Sequence, residues 1–374
     1  MAGLTAKILT EPVAAAIAYR LDRAGDLNKN ILVFDLGGGT FDVAVLTISG
    51  RDVNVKTING DTHLGGEDFD KAMVKYVIDK VKAKSGRDLL QGKNSSDPNT
   101  KRKVNNLLRR LKLECERKKR DLSSAHMVHI RLEEVGWNLD ETLMRSEFES
   151  LIKPYLEKCM AVVQEALKDA NMSKNDIDDV VLVGGSTKIP KVHEMLKDYF
   201  NGIQLKHTVN PDQAVAYGAA IQAAIKVDTT QGNGLRNKIL VQDCTPSSIG
   251  IRDKNGNFVV QIPKGSKIPT SKKQSWFPPS DYLTGCSFRI FEGEFPRADD
   301  NNFLGRFDLQ LPSVRKEEAE MVSTTLIDEE GILSVRAVCL MNGNENYVPV
   351  DAYKGRMSKE EIEARRVSKE NIVI

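Results

Sequence analysis

The chain has 374 residues, 40% of them hydrophobic, enough apolar side chain for two or three domains with cores of their own. Its 54 Lys and Arg nearly balance 52 Asp and Glu, and a formal net charge of +2 gives no electrostatic case for a nucleic-acid partner. Five scattered cysteines (Cys115, Cys159, Cys244, Cys286 and Cys339) form no CxxC pair, which fits a reducing compartment and argues against a zinc site.

Residues 1–8 hold one lysine and few apolar positions, unlike a secretory signal. No apolar run reaches the ~18 residues of a membrane span. A soluble, cytoplasmic chain with no membrane partner is therefore expected. Residues 11–19, EPVAAAIAY, place a carboxylate and a proline ahead of small residues, as at the start of a closely packed helix. The segment 210–220, NPDQAVAYGAA, echoes it and hints at an internally duplicated, two-lobed architecture.

The stretch from Asp35 to Asp42, DLGGGTFD, lies between the apolar runs Ile31–Phe34 and Val43–Leu46 and reads as a hairpin. Glycines lack Cβ, so the backbone N–H groups of Gly37, Gly38 and Gly39 can converge on an anion. Thr40 adds a hydroxyl, and Asp35 and Asp42 can hold a hydrated divalent metal or orient a water. Three glycines alone fit an ordinary turn equally well; the paired aspartates favour the ligand-binding reading. Neither GxxxxGK[ST] nor GxGxxG is present here, so those nucleotide folds are not implied.

Asp52 to Ile58 reads as a further strand, and Gly60-Asp61 turns the chain into HLGGEDFD. Phe69, Met73, Val77 and Val81 then recur every four residues, predicting a helix with one apolar stripe. Residues 85–100 read as a polar loop. The basic stretch 101–123 reads as a helix with Val104, Leu108, Leu111 and Cys115 inward; Glu116, Lys119, Arg120 and Ser123 share another face near its end. That face fits either a polyhydroxyl ligand or plain solvation. His126 and His129 stand in a β-like stretch without a ligand set around them, so no metal is assigned to them.

A helix over 147–170 is predicted from Leu151, Ile152, Tyr155, Leu156, Cys159, Val163 and Leu167. The apolar run Val180–Val183 followed by Gly184-Gly185-Ser186-Thr187 and Pro190 predicts a buried parallel strand, a glycine turn and a helix, the usual crevice at a sheet's carboxyl edge. Two such turns suggest one nucleotide held from two sides. Residues 227–237 look like a surface linker. From Ile239 to about Pro349 alternation replaces helical spacing, as in Leu333, Val335 and Ala337, implying an all-β sandwich. Ser358 to Glu361 is a capping box opening a charged helix.

In order and spacing, ILTEPVAAAIAY, ILVFDLGGGTFDVAVL, GDTHLGGEDFD, CERKKRDLSS, DDVVLVGGSTKIPKV and NPDQAVAYGAA resemble the heat-shock 70 kDa chaperone family (DnaK type). DCTP, IPT, FEGE, DNNFLGRFDL, GILSV and RMSKEEIE extend the resemblance over nearly the whole chain. It implies an α/β actin-like ATPase fold over 1–226, a linker over 227–242, a β-sandwich peptide-binding domain over 243–354 and the start of a lid helix over 355–374. It also implies ATP or ADP with Mg2+ held through nucleotide and water, and unfolded polypeptides, J-domain co-chaperones and nucleotide-exchange factors as partners. Gly37, Gly38, Gly39 and Thr40 would then cradle phosphates, with Glu11, Asp35 and Asp42 around magnesium and the attacking water. Glu116, Lys119, Arg120 and Ser123 would meet ribose and adenine. Gly184, Gly185, Ser186, Lys188 and Asp212 would complete the adenosine pocket. Ile251, Trp276, Cys286 and Phe288 would line the peptide groove.

Departures from the family pattern carry expectations too. The family's ATPase domain starts well before Glu11, with a first phosphate loop and a catalytic lysine that this sequence does not show. The resemblance therefore implies a largely missing first lobe, impaired hydrolysis and a strand at Ile31 short of packing partners. Lys188 stands where an arginine would stack on adenine. Pro278 and Pro279 would disturb strand hydrogen bonding. Three functions follow: an ATP-dependent chaperone, a non-catalytic peptide-binding protein with a vestigial nucleotide site, and an actin-like sugar kinase, the last with no place for the β domain.

Overall fold

A computed structural model describes residues 8–21, 28–86, 88, 90–91, 93–134, 137–206, 210–227 and 239–349. The chain divides into two compact units, Thr10–Val241 and a second made of Gln242–Ile374 with Met1–Leu9. The expected lid helix over 355–374 and most of the expected linker lie outside the described residues.

The first unit is mixed α/β. Strands β1 (Asn28–Leu36), β2 (Phe41–Ser49) and β3 (Asp52–Asp61) run as an antiparallel meander. On its other side β1 pairs in parallel with β6 (Asp179–Val183), and β6 with β7 (Leu205–Lys206). The six-stranded order is β7-β6-β1-β2-β3-β8, where β8 is Leu240–Gln242. A separate hairpin pairs β4 (Met127–Glu134) with β5 (Trp137–Met144). The strand at Ile31 is thus not short of partners. Hydrogen-bonded neighbours flank it, and Ile31, Leu32, Val33, Phe34 and Leu36 are fully buried.

Alternation in β1 sends Leu32, Phe34 and Leu36 to one face, where they join a single core with α2 (Gly66–Ser85), α3 (Pro98–Asp121) and α4 (Arg145–Asp169). Phe69, Met73, Val77 and Val81 are the buried stripe of α2, as their spacing predicts. The sheet also packs against α1 (Glu11–Leu21), which lies beside α6 (Ala214–Val227). The two echoing sequence segments therefore form one helix pair. Every residue of α1 from Pro12 to Tyr19 is buried, so the helix has no polar face for a periodicity test to detect. At Gly218 a β-carbon would run into the Ala14 carbonyl, so the crossing needs glycine.

Helix α3 differs from its sequence reading at both ends. It begins at Pro98, with the Asp97 side chain accepting from the Asn99 and Thr100 amides, so the polar run already contained a cap and a first turn. Its buried stripe is Leu107, Leu111, Cys115 and Lys119, while Val104 and Leu108 are only half-buried. The four-residue spacing runs through a lysine.

In the second unit two four-stranded antiparallel sheets form. One has the order β10 (Phe258–Ile262), β9 (Ile249–Arg252), β12 (Gly285–Glu292), β13 (Asn302–Gln310). The other has the order β11 (Thr270–Trp276), β14 (Met321–Ile327), β15 (Leu333–Cys339), β16 (Glu345–Pro349). Ile251, Phe288, Phe307, Met321, Val335 and Ala337, from both sheets, belong to one buried cluster. Pro278 and Pro279 do not disturb the ladder, because β11 pairs with β14 from Thr270 to Trp276 and ends before them.

Candidate functional site

Register places the site. Asp35 opposes Asp42 and Leu36 opposes Phe41 in the β1–β2 ladder, leaving Gly37–Thr40 as the connection. The Gly37 amide closes it on the Thr40 carbonyl at 3.1 Å. Both aspartates therefore sit at the ladder's end beside the glycines. Asp35 is only 6% exposed. Burial, then the charges of Glu11 and Asp42, push its carboxyl up to about 7. Burial and Glu11 also raise Asp42, against a Thr40 hydroxyl bond that holds it down. Glu11, at the first turn of α1, thus completes a group of three mutually repelling carboxylates, which a proton or a cation would relieve.

The glycine turn is open outward and braced behind. Gly38, Gly39 and Thr40 are exposed, and nothing lies within 4 Å of where a β-carbon of Gly38 or Gly39 would sit. Neither has a left-handed φ. Neither packing nor backbone strain therefore accounts for these two glycines. Among the described residues their amides take no backbone partner. Behind the turn, the Gly66 and Glu67 amides of α2 donate to the Gly37 and Gly38 carbonyls at 3.0 and 2.7 Å. The Ser186 hydroxyl donates to the Gly37 carbonyl at 2.9 Å.

Ser186 comes from the second glycine turn. After β6, Gly184 takes φ +82°, and a β-carbon there would strike the Leu36 carbonyl and approach Asp35 Oδ1 at 2.9 Å. Gly185–Lys188 form a short 3-10 helix leading to α5 (Pro190–Tyr199). Lys188 and Asp212, both about half-exposed, pair at 2.5 Å. A β-carbon at Gly185 would lie 2.8 Å from Asp212 Oδ1, which puts this ion pair beside the turn.

On α3, Glu116 and the exposed Arg120 pair with each other at 2.5 Å; Ser123, expected on the same helix face, instead follows the helix end at Asp121 and is half-buried. Lys119 is different. It is buried, donates to the Gly66 carbonyl at 2.7 Å and pairs with buried Asp70 at 2.9 Å. Glu11, Asp35, Gly37–Thr40, Asp42, Gly184 and Ser186 thus gather at one hairpin end. Lys188 and Asp212 adjoin it through Gly185, and α3 reaches it through Lys119 and Gly66. Sequence reasoning missed Gly66 and Asp70; its available signal was a glycine pair, Gly65-Gly66, opening a helix.

The second unit places its four predicted residues differently. Ile251 and Phe288 are 1% and 3% exposed, inside the core. Phe288 stacks on Phe307 at 5.1 Å and meets Trp276 edge-on at 6.2 Å. The Trp276 indole N–H donates to Ser323 Oγ at 2.8 Å, satisfying an inward-facing hydroxyl. Trp276 and Cys286 are half-buried at the margin of that cluster.

The family profile described as Hsp70 protein matches residues 1–372. The chain belongs to the Hsp70 family. Over 97% of its length it is 42% identical to "Heat shock 70 kDa protein BIP3" of Oryza sativa subsp. japonica, covering 53% of that protein. It is 41% identical, over 97% of its length, to "Heat shock 70 kDa protein 2" of Paracoccidioides lutzii, covering 54% of it. A third relative, "Heat shock 70 kDa protein" of Neurospora crassa, is 40% identical over 97% of this chain and 55% of its own. The chain therefore spans about half the length of the curated relatives it matches. Members of the Hsp70 family bind ATP and ADP, generally with Mg2+. No described helix is long and apolar enough to cross a membrane.

Proposed function

We propose that this chain is a heat-shock-type chaperone whose Thr10–Val241 unit binds a magnesium–adenine nucleotide at the β1–β2 hairpin and whose β unit, a β-sandwich, holds extended apolar polypeptide. The observation that carries the nucleotide half is the open glycine turn beside three carboxylates. Gly38 and Gly39 offer unengaged amides to an anion, and Asp35, Asp42 and Glu11 offer excess negative charge to a cation. A phosphate–metal pair satisfies both together; either ion alone meets half of the site. As in the family resemblance, magnesium would be held through nucleotide and water, with the carboxylates meeting its water shell.

In this reading Gly37–Thr40 cradle phosphate, Asp35 and Glu11 orient the attacking water, and Lys188, Asp212, Glu116 and Arg120 flank the nucleoside. Unfolded polypeptides, J-domain co-chaperones and nucleotide-exchange factors are the partners it carries. Trp276 and Cys286, at the edge of the aromatic cluster, are the groove residues that a peptide could touch without opening the core. Equilibrium dialysis of Mg2+-ADP against the chain and its Gly39→Val variant tests the site. Binding that the valine abolishes supports the turn as the cradle, and equal binding by both places the nucleotide elsewhere.

A second reading, a non-catalytic polypeptide-binding protein, draws on one specific observation. Lys119, Ser186 and Lys188, assigned to the adenosine pocket by resemblance, all make bonds within the protein. It predicts polypeptide capture that is indifferent to nucleotide.

A further inference from the structure

We propose that the free edge of β11 takes an extended acidic segment of another polypeptide as a fifth strand of its sheet, a site that goes beyond apolar capture at Trp276 and Cys286. Among the described residues the two sheets of the β unit end in four edge strands, β10, β13, β16 and β11. An edge presents a row of unpaired N–H and C=O groups, and proteins blunt it with bulges, prolines or side-chain cover. Three of these edges are blunted. β10 carries a bulge between Val260 and Ile262. β13 and β16 cover each other: the Asn346 side chain of β16 donates to the Asp308 carbonyl of β13 at 2.7 Å, and β16 ends in Pro349, which has no N–H.

β11 has none of these devices. Its 7 residues, Thr270–Trp276, oppose Ile327–Met321 one for one, with no shift of register and no proline. Among the described residues its backbone pairs with no strand but β14. In an antiparallel ladder every second residue turns both its N–H and its C=O away from the partner strand, so β11 offers those groups outward. The Gln274 side-chain amide, 3.3 Å from the Ser275 carbonyl, is a weak competitor for an arriving strand. Charge names the guest. The strand TSKKQSW holds two lysines and no acid, and the residues opposite Lys272 and Lys273 are Thr325 and Thr324, which are uncharged. Both lysines are exposed, and as neighbours in a strand they stand on opposite faces of the sheet. A second copy pairing edge to edge would bring lysines together, which repels. An extended segment with two adjacent carboxylates instead meets one lysine on each face, and β-branched flanks suit the pleat.

The test uses the whole chain and a capped, fluorescein-labelled hexapeptide, threonine-valine-glutamate-glutamate-valine-threonine. Anisotropy should show saturable binding that weakens about tenfold or more in the double variant Lys272→Glu, Lys273→Glu. That variant should in turn bind the peptide with lysines in place of both glutamates. Proline in place of both valines should abolish binding, because it removes a ladder N–H in either register. Lysine-selective nitrogen-15 labelling reads the strand itself. Of two successive amides in an antiparallel ladder one faces the partner strand and the other the open edge. One of the Lys272 and Lys273 amides should therefore exchange slowly in the free chain and the other fast, and the peptide should slow the fast one. Slow exchange of both without peptide means that the edge is already covered, and overturns the proposal. Absence of binding at millimolar peptide overturns it too, as does binding that survives the charge reversal or is displaced by a neutral extended apolar peptide. Dimerisation that the double variant abolishes overturns it in favour of a second copy. If the reversed chain does not fold, Lys272→Gln with Lys273→Gln is read by the same loss of affinity.

Discussion

Replacing Asp35 by asparagine should stabilise the Thr10–Val241 unit at alkaline pH and leave it almost unchanged in acid. Asp35 is buried beside Glu11 and Asp42, and its carboxyl is pushed from an ordinary 3.8 to about 7. The folded chain therefore holds a proton that the unfolded chain has released between those two values. Stability is greatest below the unfolded pKa, falls as pH rises and levels off above the folded pKa. Between about pH 5 and about pH 8 this one group should remove about 2.5 kcal/mol, the net of some two pH units at roughly 1.4 kcal/mol each. Asparagine keeps the shape and cannot ionise, so the gap between variant and wild type should open across that interval. Urea unfolding at a series of pH values, followed by far-UV circular dichroism, reads it through helices α1 to α6, which lie in this unit. Identical pH dependence in the two proteins would refute the claim that a buried Asp35 lies within reach of the charges of Glu11 and Asp42.

Further expectations concern activity and the β unit. If the chain hydrolyses ATP, Asp35→Asn and Glu11→Gln should each lower turnover at least about a hundredfold, measured by phosphate release, since both carboxylates would orient the water. Variants as active as wild type would remove them from the chemistry. Phe288→Ala should destabilise the β unit by about 3–5 kcal/mol, because it empties a stacked, fully buried position. A small loss in the tryptophan-monitored urea transition would contradict that packing. Trp276→Ala should weaken capture of a fluorescent extended apolar peptide in anisotropy titrations, whereas unchanged affinity would take the peptide away from this margin. Lys188→Arg should tighten nucleotide binding a few-fold by adding a planar stacking surface, and calorimetry showing no gain would put the base elsewhere.

What could be read from sequence followed regular periods. The hairpin was legible because two β-rich runs flank three glycines and two aspartates. The α2 stripe was legible because Phe69, Met73, Val77 and Val81 keep one spacing. Lys119 was not, since a charge near a basic helix end reads as solvated; its burial depends on Asp70 and the Gly66 carbonyl arriving from another helix. Helix α1 gave no amphipathic signal because its residues from Pro12 to Tyr19 are all buried. The Asp97 cap of α3 hid inside a polar run. The resemblance assigns Phe288 and Ile251 to a peptide groove, yet local sequence cannot show that Phe307 and Trp276 pack against Phe288.

The most direct test of the account is calorimetric titration of the folded, monodisperse chain with Mg2+-ADP and Mg2+-ATP, repeated without magnesium. A pocket formed by the glycine turn and its three carboxylates predicts micromolar or tighter binding that weakens sharply when the metal is withheld. No heat of binding from a folded sample would contradict it.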